Sequence, residues 1–200
     1  DLDAPVQKYL PEFKPKNTFG GEITLRRLMS HFSGLVREPP VGHYFDPTNP
    51  TLDATVASLN NTSLVYEPGT RTKYSNAAIA VVGQVLEKQL TQSHPAQVEA
   101  TILKPLGMTS SSFDLTPKVK EHLATAYMRT YDGRRFEAPT FLLGTGPAGN
   151  MYSSVVDLGK FMSCLFREGK YEGGQILSEK SLKEMLSPVK DKRGNPQGFG

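Results

Sequence analysis

Two side chains stand at a spacing that can do chemistry: Tyr74 and Asn76, separated by Ser75 and delivered by Glu67-Pro68-Gly69-Thr70-Arg71-Thr72-Lys73. A phenol gives and takes a proton, and a carboxamide offers a donor pair and an acceptor. Residues two apart in an extended approach point to the same side, so both side chains face one space. Pro68 and Gly69 are turn formers, and Asn76 is a favoured N-cap type for the apolar run from Ala77 to Leu86. That run is apolar almost all round, which predicts a buried helix over Asn76 to Leu90. Two readings fit this pattern: a tyrosine and an asparagine that seal a helix entry, or the same pair held at the mouth of a binding space.

The elements around the pair read as more helix than strand. Thr24 is placed to cap a helix from Leu25 to about His31, and a short helix is expected over Leu52 to Leu59. Ser93 and Pro95 open another that must end by Leu103, because Pro105 forbids continuation. Thr116-Pro117 starts a short helix to about Leu123. The stretches from Ala124 to Tyr131 and from Arg134 to Phe136 flank Asp132-Gly133, a strong hairpin signal. Ser154 with Asp157 resembles a capping box and begins a helix to about Phe166. A turn around Gly173-Gly174 precedes a last helix, capped by Ser178 and ending near Leu186. No repeat, low-complexity tract or linker divides the chain.

Composition narrows the function classes. With 200 residues and 38% hydrophobic content, the chain is long enough for one core of ordinary size. A net charge of +3 with interspersed signs makes no case for nucleic acid, and Lys190-Asp191-Lys192-Arg193 reads as a solvated loop. The uncharged stretches are too short or too interrupted by glycine and proline to span a membrane. The single cysteine, Cys164, excludes an internal disulfide and falls in an apolar helical pattern expected to be core.

Rival chemistries find weaker footing. Gly144-Thr145-Gly146-Pro147-Ala148-Gly149 matches the dinucleotide pattern of a nucleotide-dependent oxidoreductase. There the helix begins within the glycines, whereas here the best helix start is Ser154. Pro139 also makes the preceding segment a poor central strand. His31, His43, His94 and His122 show no metal-ligand spacing, and His31 at a helix end is placed to meet carbonyl groups. Neither a metal nor another cofactor is expected. The literal Ser-x-x-Lys at Ser187 to Lys190 reads as a solvated helix end opening the loop from Asp191 to Gly198, and no Gly-x-Ser-x-Gly elbow occurs. Asn60-Asn61-Thr62-Ser63 offers glycosylation acceptor patterns short enough to arise by chance.

Tyr74-x-Asn76 after Glu67-Pro68-Gly69-Thr70 resembles the second catalytic motif of the β-lactamase-related serine hydrolases, which include class C β-lactamases, DD-peptidases and related esterases. The likeness extends along nearly the whole chain. The segments from Asp1 to Pro11 and from Ile23 to Leu35 resemble the family's blocks before the tyrosine. Leu103 to Met108, and Pro147 to Ser153 with Asp157-Leu158, resemble the blocks after it. The resemblance implies an α+β fold of the β-lactamase/transpeptidase type. It also implies that residues 1–200 are a single partial domain, mostly its helical region. The family's Ser-x-x-Lys would lie before Asp1 and its third motif after Gly200, where Gly198-Phe199-Gly200 would begin a strand.

The implied function is acyl transfer through an acyl-enzyme on an amide, β-lactam or ester carbonyl. The substrate is expected to be a small molecule or peptide, and the family favours a periplasmic or secreted setting. Tyr74 would be the general base and acid. A free phenol has a pKa of about 10, so service near neutrality asks for about 4 kcal/mol of preferential stabilisation of the phenolate. The lysine of the missing motif is the expected cation. Asn76 would hold the substrate amide or carbonyl and that lysine, a role that competes with capping. The nucleophilic serine and its lysine are not in this chain, so the piece alone is expected to be inactive. A penicillin-recognising or scaffold homologue without catalysis is the alternative.

Overall fold

Hydroxyl side chains start most of the helices. Thr24, Thr51, Ser75, Ser93, Thr116, Ser154 and Ser178 each accept a hydrogen bond from the backbone N–H three residues on. Each thereby satisfies one of the donors that a helix start leaves unpaired. The structure is a computed structural model and describes residues 1–191 and 193–197. Its helices are α1 (Leu25–Met29), α2 (Leu52–Ser58), α3 (Asn76–Leu90), α4 (His94–Val98), α5 (Pro117–His122), α6 (Gly146–Gly149), α7 (Val155–Phe166) and α8 (Glu179–Met185). A wider turn over Glu99–Leu103 extends α4. The expected strand from Gly198 and residue Lys192 of the expected loop lie outside the described residues.

The strands form three antiparallel pairs. β1 (Tyr127–Arg129) pairs with β2 (Arg135–Glu137), in register Met128 to Phe136, around the expected Asp132-Gly133 turn. β3 (Lys170–Tyr171) pairs with β4 (Gly174–Gln175), and β5 (Val189–Lys190) with β6 (Pro196–Gln197). The last pair corrects the expectation of a plain loop. The Asp191 side chain accepts from the N–H groups of Arg193 and Asn195 and closes the turn between them.

The core gathers around α3. Ala77, Ala78, Ala80, Val81 and Val85 are buried with Val6, Leu10, Phe13, Leu28, Leu35, Val56 and Leu59. α3 lies against α1, α2 and α6. Its far end departs from the expected full burial, since Leu86 and Leu90 are exposed. α6 was not expected, because Gly-Pro-Ala-Gly reads as loop. Packing decides its place: a Cβ on Gly83 of α3 would lie 2.2 Å from Pro147 Cγ, so glycine allows α6 to approach. The helix does start within the glycine stretch, contrary to expectation, yet it is one turn long, and the preceding β2 belongs to an antiparallel hairpin. A dinucleotide unit needs a parallel strand leading into a long helix, and neither is present there.

Cys164 is buried as expected. The Ser154 and Asp157 pair forms only one half of a capping box. Ser154 Oγ accepts from Asp157 N–H, while the Asp157 carboxylate accepts from Ser110 N–H at 2.7 Å, the Ser111 hydroxyl at 2.9 Å and Lys160 Nζ at 2.9 Å. Burial alone would raise this carboxyl, but Lys160 and the two serine donors outweigh it and hold the pKa below the usual carboxylate range.

Candidate active site

Tyr74 and Asn76 are held by two chain segments that run alongside each other, residues 31–38 and 65–77. Val65 N–H donates to Gly34 O, Gly69 N–H to Phe32 O, Lys73 N–H to His31 O and Ala77 N–H to Arg37 O. Ser75 adds two more links: its N–H donates to His31 Nδ1 at 3.1 Å and its hydroxyl to Val36 O at 2.6 Å. The segments approach so closely at Gly34 that a Cβ there would sit 2.1 Å from Tyr66 O, at a backbone φ of +76°. The Glu67 to Thr70 turn is closed by Thr70, whose N–H and hydroxyl both donate to Glu67 O.

Ser75, not Asn76, is the N-cap of α3. Its hydroxyl accepts from Ala78 N–H at 2.9 Å, and Asn76 is the first residue of the helix. The physical reason is backbone conformation: Ser75 is extended, at φ −148° and ψ 110°, as a cap must be. The expected competition between capping and substrate binding therefore does not arise. The Asn76 carboxamide turns instead to Glu38 and donates from Nδ2 to Glu38 Oε1 at 2.6 Å.

Tyr74 is 46% exposed, and its ring meets two neighbours from the other segment. The His31 ring lies with its centroid 4.4 Å from that of Tyr74, tilted by 31°. The Arg37 guanidinium lies 5.2 Å from the Tyr74 centroid, a cation over an aromatic face. Arg37 also pairs with Glu38 at 3.4 Å, so Arg37 and Glu38 together touch both expected site residues. Tyr74 and Asn76 each meet one member of the adjacent Arg37–Glu38 pair.

His31 stands just past α1 in a left-handed conformation at φ +57°, and its Nδ1 accepts from the Ser75 N–H. Burial pushes the imidazole pKa down, and Nδ1 must be unprotonated to accept that bond. Ser187 is exposed, and its hydroxyl donates to Lys183 O. A cavity of about 1060 Å³ opens between Ser93, residues 109–114, His122 and residues 151–154, and includes neither Tyr74 nor Asn76. Among the described residues no group of three or more His, Cys, Asp or Glu side chains is placed to hold a metal. No helix there is long and apolar enough to cross a membrane.

This arrangement offers a half-exposed phenol, a buried amide and a cation. Along the entire chain, residues 1–200, the sequence matches the family model described as Beta-lactamase. The chain belongs to the beta-lactamase family. It is 33% identical over 195 residues to Beta-lactamase-like protein 2 of Dictyostelium discoideum, a match covering 94% of this chain and 34% of that protein. It is 30% identical over 218 residues to Esterase EstB of Burkholderia gladioli, covering 99% of this chain and 52% of the esterase. Among solved structures, a D-stereospecific amidohydrolase from Streptomyces sp. superposes with a TM-score of 0.79 at 27% identity, over 100% of this chain and 62% of that one. An octameric penicillin-binding protein homologue from Pyrococcus abyssi superposes with a TM-score of 0.79 at 25% identity, over 100% of this chain and 47% of that one. The beta-lactamase-family chain described here thus spans about a third to a half of the length of these curated relatives, and its fold is the α+β β-lactamase/transpeptidase type.

The neighbours of Tyr74 and Asn76 that sequence reasoning missed are Arg37 and Glu38. Arg37-Glu38 precedes Pro39-Pro40 and reads locally as an exposed charged turn. Only the pairing of segments 31–38 and 65–77 brings it against Tyr74 and Asn76.

Proposed function

We propose that this chain is part of a serine hydrolase that acts through an acyl-enzyme on an amide, β-lactam or ester carbonyl. Tyr74 is the proton shuttle and Asn76 a polar contact for the reacting partners. The observation that carries this reading is the Ser75 cap. Its hydroxyl takes the Ala78 N–H, so the Asn76 carboxamide does not serve as the cap and instead meets Glu38, two residues along the chain from a half-exposed phenol. A residue pair that merely sealed the helix would use Asn76 for that purpose. The kinship with an esterase and an amidohydrolase supports the same reaction class.

In this mechanism a serine outside residues 1–200 attacks the carbonyl carbon. The phenolate of Tyr74 takes the serine proton as the bond forms, and the phenol returns it to the leaving group. Water then resolves the acyl-enzyme by the same path. Arg37 places its guanidinium over the Tyr74 ring, and Ser75 holds the backbone next to the ring through its N–H to His31 Nδ1 and its hydroxyl to Val36 O. The test is labelling of the full-length protein with a fluorescent phosphonate that reacts with activated serines. Covalent labelling at one serine supports the reading. A folded full-length protein that takes up no label and turns over no ester, amide or β-lactam contradicts it.

A further inference from the structure

We propose that a cavity beside the C-terminal end of α3 is a second ligand site, which takes a small organic amine with an apolar body. The cavity holds about 400 Å³, a volume ordinary for a small-molecule site. It lies between the loop that leads into α2, the end of α3, the start of α4, Phe113-Asp114 and the segment 142–150 that carries α6. Neither Tyr74 nor Asn76 lines it. Glu87 does, and the helical rise from residue 76 to residue 87 of α3 puts it about 16 Å from the Asn76 backbone. The site is therefore separate from the proposed acyl-transfer residues.

The walls set the chemistry of the occupant. Pro50, Leu52, Phe113, Leu142, Leu143 and Pro147 give an apolar surface, and the Glu87 and Asp114 carboxylates line the same space. Among the described residues no lysine or arginine lines it, and neither carboxylate belongs to an ion pair. The nearby cations are engaged elsewhere: Lys88 pairs with Asp53 at 3.5 Å, and Lys118 donates to Thr109 O at 2.8 Å. Glu87 Oε1 accepts the His94 N–H at 2.7 Å, which fixes the carboxylate at the wall. The His94 imidazole also lines the cavity, edge-on to Phe113 with centroids 5.1 Å apart, and its Nδ1 is buried with no partner. Burial pushes this imidazole pKa down, so near neutrality it adds no positive charge to offset Glu87. Two carboxylates without a cation, set in an apolar wall, are complemented by an ammonium group on a hydrocarbon body. A metal ion fits less well, since no three His, Cys, Asp or Glu side chains among the described residues converge to hold one. Glu87 is the anchor, because Asp114 is exposed and its charge is screened by water.

Calorimetric titration of the full-length protein with phenethylamine and with 2-phenylethanol tests the site. These probes differ only in an ammonium group against a hydroxyl. The unmodified protein should bind the amine at least about tenfold more tightly than the alcohol at low ionic strength. Glu87→Gln should remove most of that preference, while Asp114→Asn should reduce it by about twofold. Glutamine keeps an acceptor for the His94 N–H, and an unchanged thermal midpoint without ligand separates loss of charge from loss of fold. Glu38→Gln, which alters the carboxylate beside Asn76, should leave both affinities within about twofold of the unmodified values. The inference is overturned if the unmodified protein binds the alcohol as tightly as the amine, or binds neither probe with a Kd below about 10 mM. It is equally overturned if the preference for the amine survives Glu87→Gln, or if Glu38→Gln is the change that removes it.

Discussion

Replacing Ser75 by alanine separates the observed helix cap from the one that residue type suggested. The Ser75 side chain is fully buried and makes two bonds: its oxygen accepts from Ala78 N–H at 2.9 Å, and its hydroxyl donates to Val36 O at 2.6 Å. Losing an N-cap costs about 1 kcal/mol. Leaving the Val36 carbonyl without a donor in the interior adds about 1 to 3 kcal/mol, because folding has already stripped its water. The expected sum for Ser75→Ala is therefore about 2 to 4 kcal/mol. Ser75→Thr keeps the hydroxyl and separates loss of the bonds from loss of space. Urea unfolding of the full-length protein, followed by far-UV circular dichroism, measures the difference. A loss below about 0.5 kcal/mol for Ser75→Ala, the size of an unremarkable surface change, would refute the cap assignment.

Two further substitutions test the surrounding frame. Asp157→Asn should cost about 2 kcal/mol at neutral pH, since it removes the charge that binds Lys160 and two serine donors. Because the folded carboxyl lies below its ordinary value, its stabilisation is present above about pH 4 and is lost as pH falls through the lowered folded value. Thermal unfolding of the two proteins should therefore converge in acid, and an unchanging gap down to pH 2 would contradict the assignment. Gly83→Ala should destabilise by about 1 to 2 kcal/mol in urea, because overpacking against Pro147 outweighs alanine's better helix propensity. A gain in stability would show that α6 does not press on α3.

What was legible in the sequence is what local chemistry determines. Thr24, Ser93, Thr116, Ser154 and Ser178 announced their helices, because a cap acts on its own N–H neighbours. The Asp132-Gly133 turn and the apolar start of α3 were legible for the same reason. The cap of α3 was misread by one residue, since Ser75 and Asn76 are both good cap types and only the pairing with residues 31–38 chooses between them. α6 and the β5–β6 pair escaped notice, as one-turn and two-residue elements take their stability from distant packing instead of propensity. Tyr74 and Asn76 were visible as a spacing. Their partners were not, because Glu38 lies 38 residues from Asn76 and no local pattern joins them.

The central claim is that Tyr74 moves the proton in acyl transfer, and Tyr74→Phe in the full-length protein tests it most directly. Phenylalanine keeps the ring against His31 and beneath Arg37 while removing only the hydroxyl. Rapid-mixing measurement of the acylation burst with a p-nitrophenyl ester should show acylation slowed by at least about 100-fold, with the far-UV spectrum and unfolding midpoint unchanged. A folded variant that acylates within about threefold of the unmodified rate would show that Tyr74 only seals the entry to α3.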